Sequence, residues 1–376
     1  MKLRNIALGV LACGVVAACA KHDEAATAAP AAADGDKAVN VYNWSDYIAE
    51  DTNANFEKAT GIKVTYDVFD QNEVLETKLL AGSSGYDVVV PSLQFLGRQA
   101  KAGVFLPLDK SKIPNYANLD PVFMQKLQSQ DPDNTYAIPY MWGTTGIGYN
   151  VDLVAKALGS AEAANSLDAV LKPENAAKLA DCGISMLDTP SEIIPLVLNY
   201  LGEDPNSQDP AVIDKAAAAL KKIRPYVRVF HSSSYIDGLA NGDLCLSLGW
   251  SGDVIQASTR AKEAKNGVNV AYAIPREGAP MWFDMLAIPN GAKHVDEAYA
   301  YINYLLDPQV MANNSNFIAY PNAVPKAKEL MDKTITEDPT IYPPPEVAAK
   351  LFTFAIVPPE VDRKYQEVWT ALKSGK

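Results

Sequence analysis

The sequence predicts an α/β protein of two lobes, and three observations carry that prediction. From residue 38 onward, strand-like and helix-like segments alternate, the pattern of a parallel sheet covered by helices. At 376 residues and 48% hydrophobic composition, the chain beyond its leader is long enough for two cores. Finally, tryptophan stands beside aspartate three times, each time in or next to a predicted strand: "YNWSDYI" from Tyr42, "GWSGD" with Trp250 and Asp253, and "WFD" with Trp282 and Asp284. These clusters fall in both halves of the chain.

The leader "MKLRNIALGVLACGVVAAC" has a basic tip, Lys2 and Arg4, and an apolar run from Ile6 to Ala18. That is an export signal, too short for a permanent span of about 20 apolar residues. "VAAC", ending at Cys19, resembles a bacterial lipobox, so residues 1–18 are expected to be a signal peptide and 19–38 a tether lipid-anchored at Cys19. An ordinary signal peptide cut after a small residue such as Ala20 is the alternative. Alanine-rich and without a repeating apolar face, the stretch up to Lys37 suits a flexible tether.

"AVNVYNW" reads as a short strand, "EDTNANFEKATG" as a helix stopped by Gly61, and "IKVTYDVF" alternates at strand spacing. "NEVLETKLLAG" repeats apolar residues at helical spacing, and "YDVVVPS" is a buried-type strand. In open α/β sheets ligands bind outside the carboxyl ends of strands, where Trp44 to Tyr47 and Ser92 to Phe95 fall. Past Asn150 come alanine-rich helical stretches, "VDLVAKALGSAEAANSLDAVL" and "PAVIDKAAAALKKI", with "LDTPSEIIP" read as a loop. A second lobe is expected to begin near "TTGIGYN". "DLCLSLGW", "VNVAYAIP" and "MWFDMLAIP" are further strand candidates, followed by helices over "DEAYAYINYLLD" and "DRKYQEVWTALK".

A formal net charge of −12 disfavours nucleic acid and anionic lipid as partners and suits a cationic ligand. Of the four cysteines, Cys182 and Cys245 remain after leader removal and anchoring. Two thiols in an oxidising compartment usually pair, with two buried free thiols as the alternative.

Catalytic signatures are scarce. There are three histidines, no nucleophile elbow, phosphate-binding loop or zinc-protease pattern, and "GIGYNV" lacks the third glycine of a dinucleotide fingerprint. No cofactor and no metal site is expected. Strand-end carboxylates could serve a glycosidase as acid and base, which is the enzyme reading. A binding reading fits the composition better: an alkyl polyamine needs carboxylates for its ammonium groups and aromatic walls for its methylenes, and tryptophan beside aspartate supplies both. A single such cluster could be core tryptophan beside a helix-capping aspartate. Three strand-end clusters favour a ligand.

"VYNWSDYI", "GIKVTYDVFDQNEVLETKLLAG", "YDVVVPS", "YMWGTTGIGYNVD", "FHSSSYIDGLANGDLC", "GWSGDVIQASTRAKEAKNGVNV" and "IYPPPEV" resemble the periplasmic polyamine-binding receptors of bacterial ABC transporters, the putrescine receptors above all. The likeness runs from about Val39 to the C-terminus. It implies a type II periplasmic binding protein, two α/β lobes joined by crossing strands with the ligand cleft between them, closing by a hinge. The implied partition is 40–143 and 270–322 for lobe 1, and 144–269 and 323–376 for lobe 2. The implied ligand set is Trp44, Ser45, Asp46 and Tyr47, then Ser92 and Phe95, with Glu192, Ser232, Trp250 and Asp253 facing them, and Trp282, Asp284 and Tyr320 completing the box. Cys182 and Cys245 match the family's disulfide pair.

Trp282 stands where putrescine receptors resemble a phenylalanine and spermidine receptors a tryptophan, and Gln94 and Phe354 also depart from the pattern. Ligand length is therefore open between putrescine and spermidine. The implied activity is non-enzymatic: a periplasmic monomer, touching the membrane only through its anchor, captures a polyamine and passes it to permease subunits driven by a separate ATPase. A polyamine sensor without transport is the other reading of the same site.

Overall fold

The computed structural model describes residues 37–375; the expected signal peptide, Cys19 and all but the end of the expected tether lie outside them. Among the described residues, nine strands form one continuous sheet: β1 (Ala38–Trp44), β2 (Lys63–Phe69), β3 (Val88–Val89), β4 (Ala137–Asn150), β5 (Ile184–Met186), β6 (Val227–Phe230), β7 (Leu246–Trp250), β8 (Val270–Ala273) and β9 (Met281–Ala287). Their order is β2-β1-β3-β9-β4-β7-β5-β6, with β8 on β4. β1 runs parallel to β2 and β3, in register from Ala38 opposite Lys63 to Trp44 opposite Phe69. The crossovers are helices α1 (Thr52–Thr60) and α2 (Asn72–Leu80).

Local chemistry sets these elements. α1 ends where Gly61 takes a left-handed φ of 73°, a conformation that costs glycine no Cβ clash, and its N–H caps the carbonyl of Glu57. Its Phe56 is fully buried, which contributes about 1.5 to 3 kcal/mol. β2 is an edge strand whose outward Lys63 and Asp67 guard against further strand pairing.

β4 is the seam of the molecule. Up to Thr144 it pairs antiparallel with β9; from Thr145 it pairs with β7, and from Ile147 also with β8. The sheet thus has two parts that share one 14-residue strand. The strand at 270–273 lies beside the later half of β4, while β9 pairs with its earlier half. Hydrogen bonding of Ala271 and Tyr272 opposite Tyr149 and Gly148 holds it there.

Two segments differ from expectation. "LDTPSEIIP" is mostly helix, Pro190–Tyr200, because proline in a first turn lacks only an N–H that the helix leaves unpaired. The long alanine-rich stretch after Asn150 is broken at Gly159, whose φ of 88° ends the helix Val151–Leu158.

A disulfide joins Cys182, just past the helix Pro173–Leu179, to Cys245 at the start of β7, as the sequence led us to expect. It closes a loop of 63 residues, for which the chain-entropy model gives about 4 kcal/mol. Cys182→Ala combined with Cys245→Ala is expected to lower stability by about 2 to 4 kcal/mol, read in denaturant titrations without reductant. An unchanged midpoint would show that the bridge does not stabilise the native protein.

Candidate ligand-binding site

The cavity lies where β1, β3, β7 and β9 end or cross, with an empty volume of about 300 Å³. One wall begins with Trp44, the last residue of β1, whose indole N–H donates to the Val90 carbonyl at 2.9 Å. That bond fixes the ring, which meets Trp250 edge-on at 5.4 Å between centroids. Two residues further on, Asp46 takes a φ of 56°, the left-handed region that asparagine and aspartate tolerate best. The turn sends Tyr47 inward, against Tyr320 at 5.2 Å, and Asp46 outward. Trp282 packs on Tyr320 at 5.3 Å, and this close fit needs a bare backbone beside it. A Cβ on Gly143 would lie 2.7 Å from the Trp282 ring, and one on Gly252 would collide with Tyr320.

Three carboxyl groups face this aromatic enclosure, and among the described residues none that lines it is basic. Asp284, on β9, accepts hydrogen bonds from Ser92 Oγ at 2.6 Å and from the Tyr47 hydroxyl at 2.8 Å. Asp253, in the first turn of the helix Ser251–Ala264, accepts from Tyr235 and Tyr320, both at 2.8 Å. Glu192, in the first turn of Pro190–Tyr200, accepts from Thr145 at 2.6 Å and from the Trp250 indole at 3.0 Å. Each of the three is at most 4% exposed. Burial pushes all of them up to about 7, hydrogen bonds pull the other way, and a neighbouring carboxylate adds to each rise. Such a site has low affinity for its own negative charge and is built to be neutralised by a cation.

Ten of the thirteen residues expected from the sequence line the cavity. Three do not. Asp46 holds Arg260 of the opposite wall at 2.5 Å, and Arg260 also binds Asp237 at 2.8 Å. Phe95 lies in an adjoining cavity with Gln94 and Phe354, its ring 4.2 Å from the Arg98 guanidinium. Ser232 is fully buried and accepts the Asp188 N–H at 2.9 Å, fixing the strand end that precedes the Glu192 helix. Sequence reasoning missed Thr145 and Tyr235. Both sit inside quoted motifs, but neither has a charge or spacing that marks it; only the fold brings their hydroxyls to Glu192 and Asp253.

Residues 52–343 match the bacterial extracellular solute-binding proteins. The chain belongs to that family. This solute-binding protein is 57% identical to the putrescine-binding periplasmic protein PotF of Escherichia coli K12 over 341 residues, covering 90% of this chain and 92% of the relative. It is similar to the crystal structure of the spermidine/putrescine ABC transporter substrate-binding protein PotD of Streptococcus pneumoniae, with a TM-score of 0.71 and 31% identity over 90% of this chain and 99% of the other. A third likeness is to the Tp0655 lipoprotein of Treponema pallidum, with a TM-score of 0.73 and 25% identity over 89% and 99%. The two-lobe α/β fold with its ligand cleft between the lobes, expected from the sequence, is therefore the fold of this solute-binding protein. Its relatives are named for binding, and nothing in their names favours the glycosidase reading.

Proposed function

We propose that this solute-binding protein captures polyamines, putrescine foremost and spermidine as well, outside the inner membrane and delivers them to the permease of an ABC transporter. The carrying observation is the trio Glu192, Asp253 and Asp284, buried in an aromatic enclosure without a basic residue. An ammonium over an indole gains about 2 kcal/mol when desolvated, and a charged hydrogen bond about 1.5 to 3. The relatives' names point the same way. In this reading 40–143 and the stretch from β9 to 322 form one lobe, and 144–273 with 323–376 the other. The protein works as a monomer and without chemistry of its own.

Calorimetry of the purified protein with putrescine and with spermidine tests the proposal. Both are expected to bind, and absence of heat from either would end it. The comparison extends to Trp282: Trp282→Phe is expected to shift the balance toward putrescine by up to about 2 kcal/mol, since a phenyl ring offers an ammonium a weaker face.

We also propose that Cys19 carries the lipid that holds the protein to a membrane, in keeping with the lipoprotein name of one structural relative. Cys19→Ala is expected to move the protein from the membrane to the soluble fraction with ligand binding intact. A variant still found with membranes would refute the anchor.

A further inference from the structure

The three buried acids are not solvated alike. On Asp253, each oxygen has its own hydroxyl donor, Tyr235 to Oδ2 and Tyr320 to Oδ1. Both tyrosine hydroxyls already accept a backbone N–H, from Trp250 at 3.0 Å and from Asp253 itself at 3.2 Å. Their own protons are thereby directed to the carboxylate. On Asp284 the arrangement repeats, with Tyr47 on Oδ2 and Ser92 on Oδ1, and Ser92 Oγ accepts from the Asn72 amide at 2.9 Å. One donor on each oxygen is what a carboxylate anion asks for.

Glu192 is different. Thr145 and Trp250 both donate to the same oxygen, Oε2, and among the described residues no hydrogen bond reaches Oε1. That is the pattern of a carboxylic acid, with a carbonyl oxygen that accepts twice and a hydroxyl oxygen that carries the proton. The titratable groups that face Glu192 are Asp284 from β9, Glu73 from α2, Tyr235 from the helix Tyr235–Ala240 and Tyr272 from β8, all of them acids. Its place in a helix first turn favours the anion, but only one such end faces it, against burial and those neighbours. Burial pushes all three cavity acids to about 7, so burial does not rank them and the donor geometry does.

From this asymmetry we infer that Glu192 stays protonated in the diamine complex, so that Asp253 and Asp284 alone supply the two counter-charges and the site is matched to a ligand of charge +2. The inference rests on the polyamine reading of the cavity. A diamine would then bind with loss of the two aspartic protons and retention of the glutamic one. Specificity follows from charge counting: a ligand that places a third cation in the cavity must first ionise Glu192.

Infrared difference spectra of the purified protein, grown with glutamate carrying a 13C side-chain carboxyl, read the two acid types separately. On adding putrescine at pH 6, the protonated aspartic bands are expected to vanish while a protonated glutamic band persists. Glu192→Gln removes that band and assigns it, leaving the half-buried Glu73, also raised to about 7 by desolvation, as internal reference. Wild-type calorimetry in buffers of different ionisation enthalpy is expected to count about two protons released. A count of about three, with the Glu192 band lost on binding, overturns the inference while leaving the polyamine reading intact. No heat and no spectral change with putrescine would instead overturn the polyamine reading, and this inference with it.

Discussion

Asp253→Asn is expected to weaken putrescine binding by about 3 to 5 kcal/mol, about two to nearly four orders of magnitude in Kd. The reason is local. Asp253 is 4% exposed, and its neighbours Tyr235 and Tyr320 are aimed to stabilise an anion there. Asparagine fills the same volume but leaves one ammonium group buried without a counter-charge. The ligand-free protein should not be destabilised, because the change removes an acid whose ionisation burial opposes. Calorimetry gives the first quantity and thermal unfolding the second. Asp284→Asn is expected to behave likewise. Asp46→Asn, whose carboxylate binds Arg260 outside the cavity, should cost about 1 kcal/mol or less. Equal losses for Asp46 and Asp253 would mean that the two residues share a role, against the geometry.

Putrescine affinity is expected to fall steeply below pH 7. In the free protein, burial raises the carboxyls of Asp253 and Asp284 to about 7, and a bound dication lowers both. Between the free and bound values the free protein holds protons that the complex lacks. Binding therefore releases them, and each coupled aspartate weakens the affinity by up to tenfold for every pH unit below 7. Together that is up to about a hundredfold per unit, measured by titration from pH 8 to pH 5.5.

The stability of the free protein has the opposite slope. Unfolded carboxyl groups titrate near 4, so the contribution of these acids is complete below about 4 and is lost as pH rises through 7. Relative to the triple variant Glu192→Gln, Asp253→Asn, Asp284→Asn, the free wild type should lose thermal stability between pH 5 and pH 8. Saturating putrescine should reverse that trend. A wild type that tracks the triple variant at every pH would show that the acids are not held neutral.

Much of the site was legible because strand ends are legible. Trp44, Trp250 and Asp284 stand where alternation and flanking turn residues place the ends or faces of β1, β7 and β9, and the cavity forms there. Asp46 shows the limit of that logic. Adjacent residues at a strand end share a side only while the backbone stays extended, and a positive φ at Asp46 turns its carboxylate away. The helix carrying Glu192 was hidden by Pro190 and Pro195, which read as breakers, although Pro190 sits in the first turn, where proline is accepted, and Pro195 lies within the helix. Thr145 and Tyr235 were hidden for another reason: a hydroxyl has no periodicity, and its role is set by whatever the fold places opposite it. Ser232 and Phe95 were assigned to the ligand by likeness; Ser232 holds the Asp188 N–H, and Phe95 lines a second cavity.

In the proposed capture, the shared strand β4 is placed to act as a fulcrum. Its change of partners falls between Thr144 and Thr145, and Thr145, fully buried, is the residue that grips Glu192. Displacement about a fulcrum grows with the length of the arm. Residues beside the pivot travel least, and Thr145 and Glu192 fall in the same proposed lobe, so their contact moves as one body in any swing of the two lobes. The Asp46–Arg260 pair sits at the half-exposed rim, away from the pivot, and is expected to part first. Leverage of this kind would load the rim pair before the floor of the cavity, so opening is expected to begin at the rim.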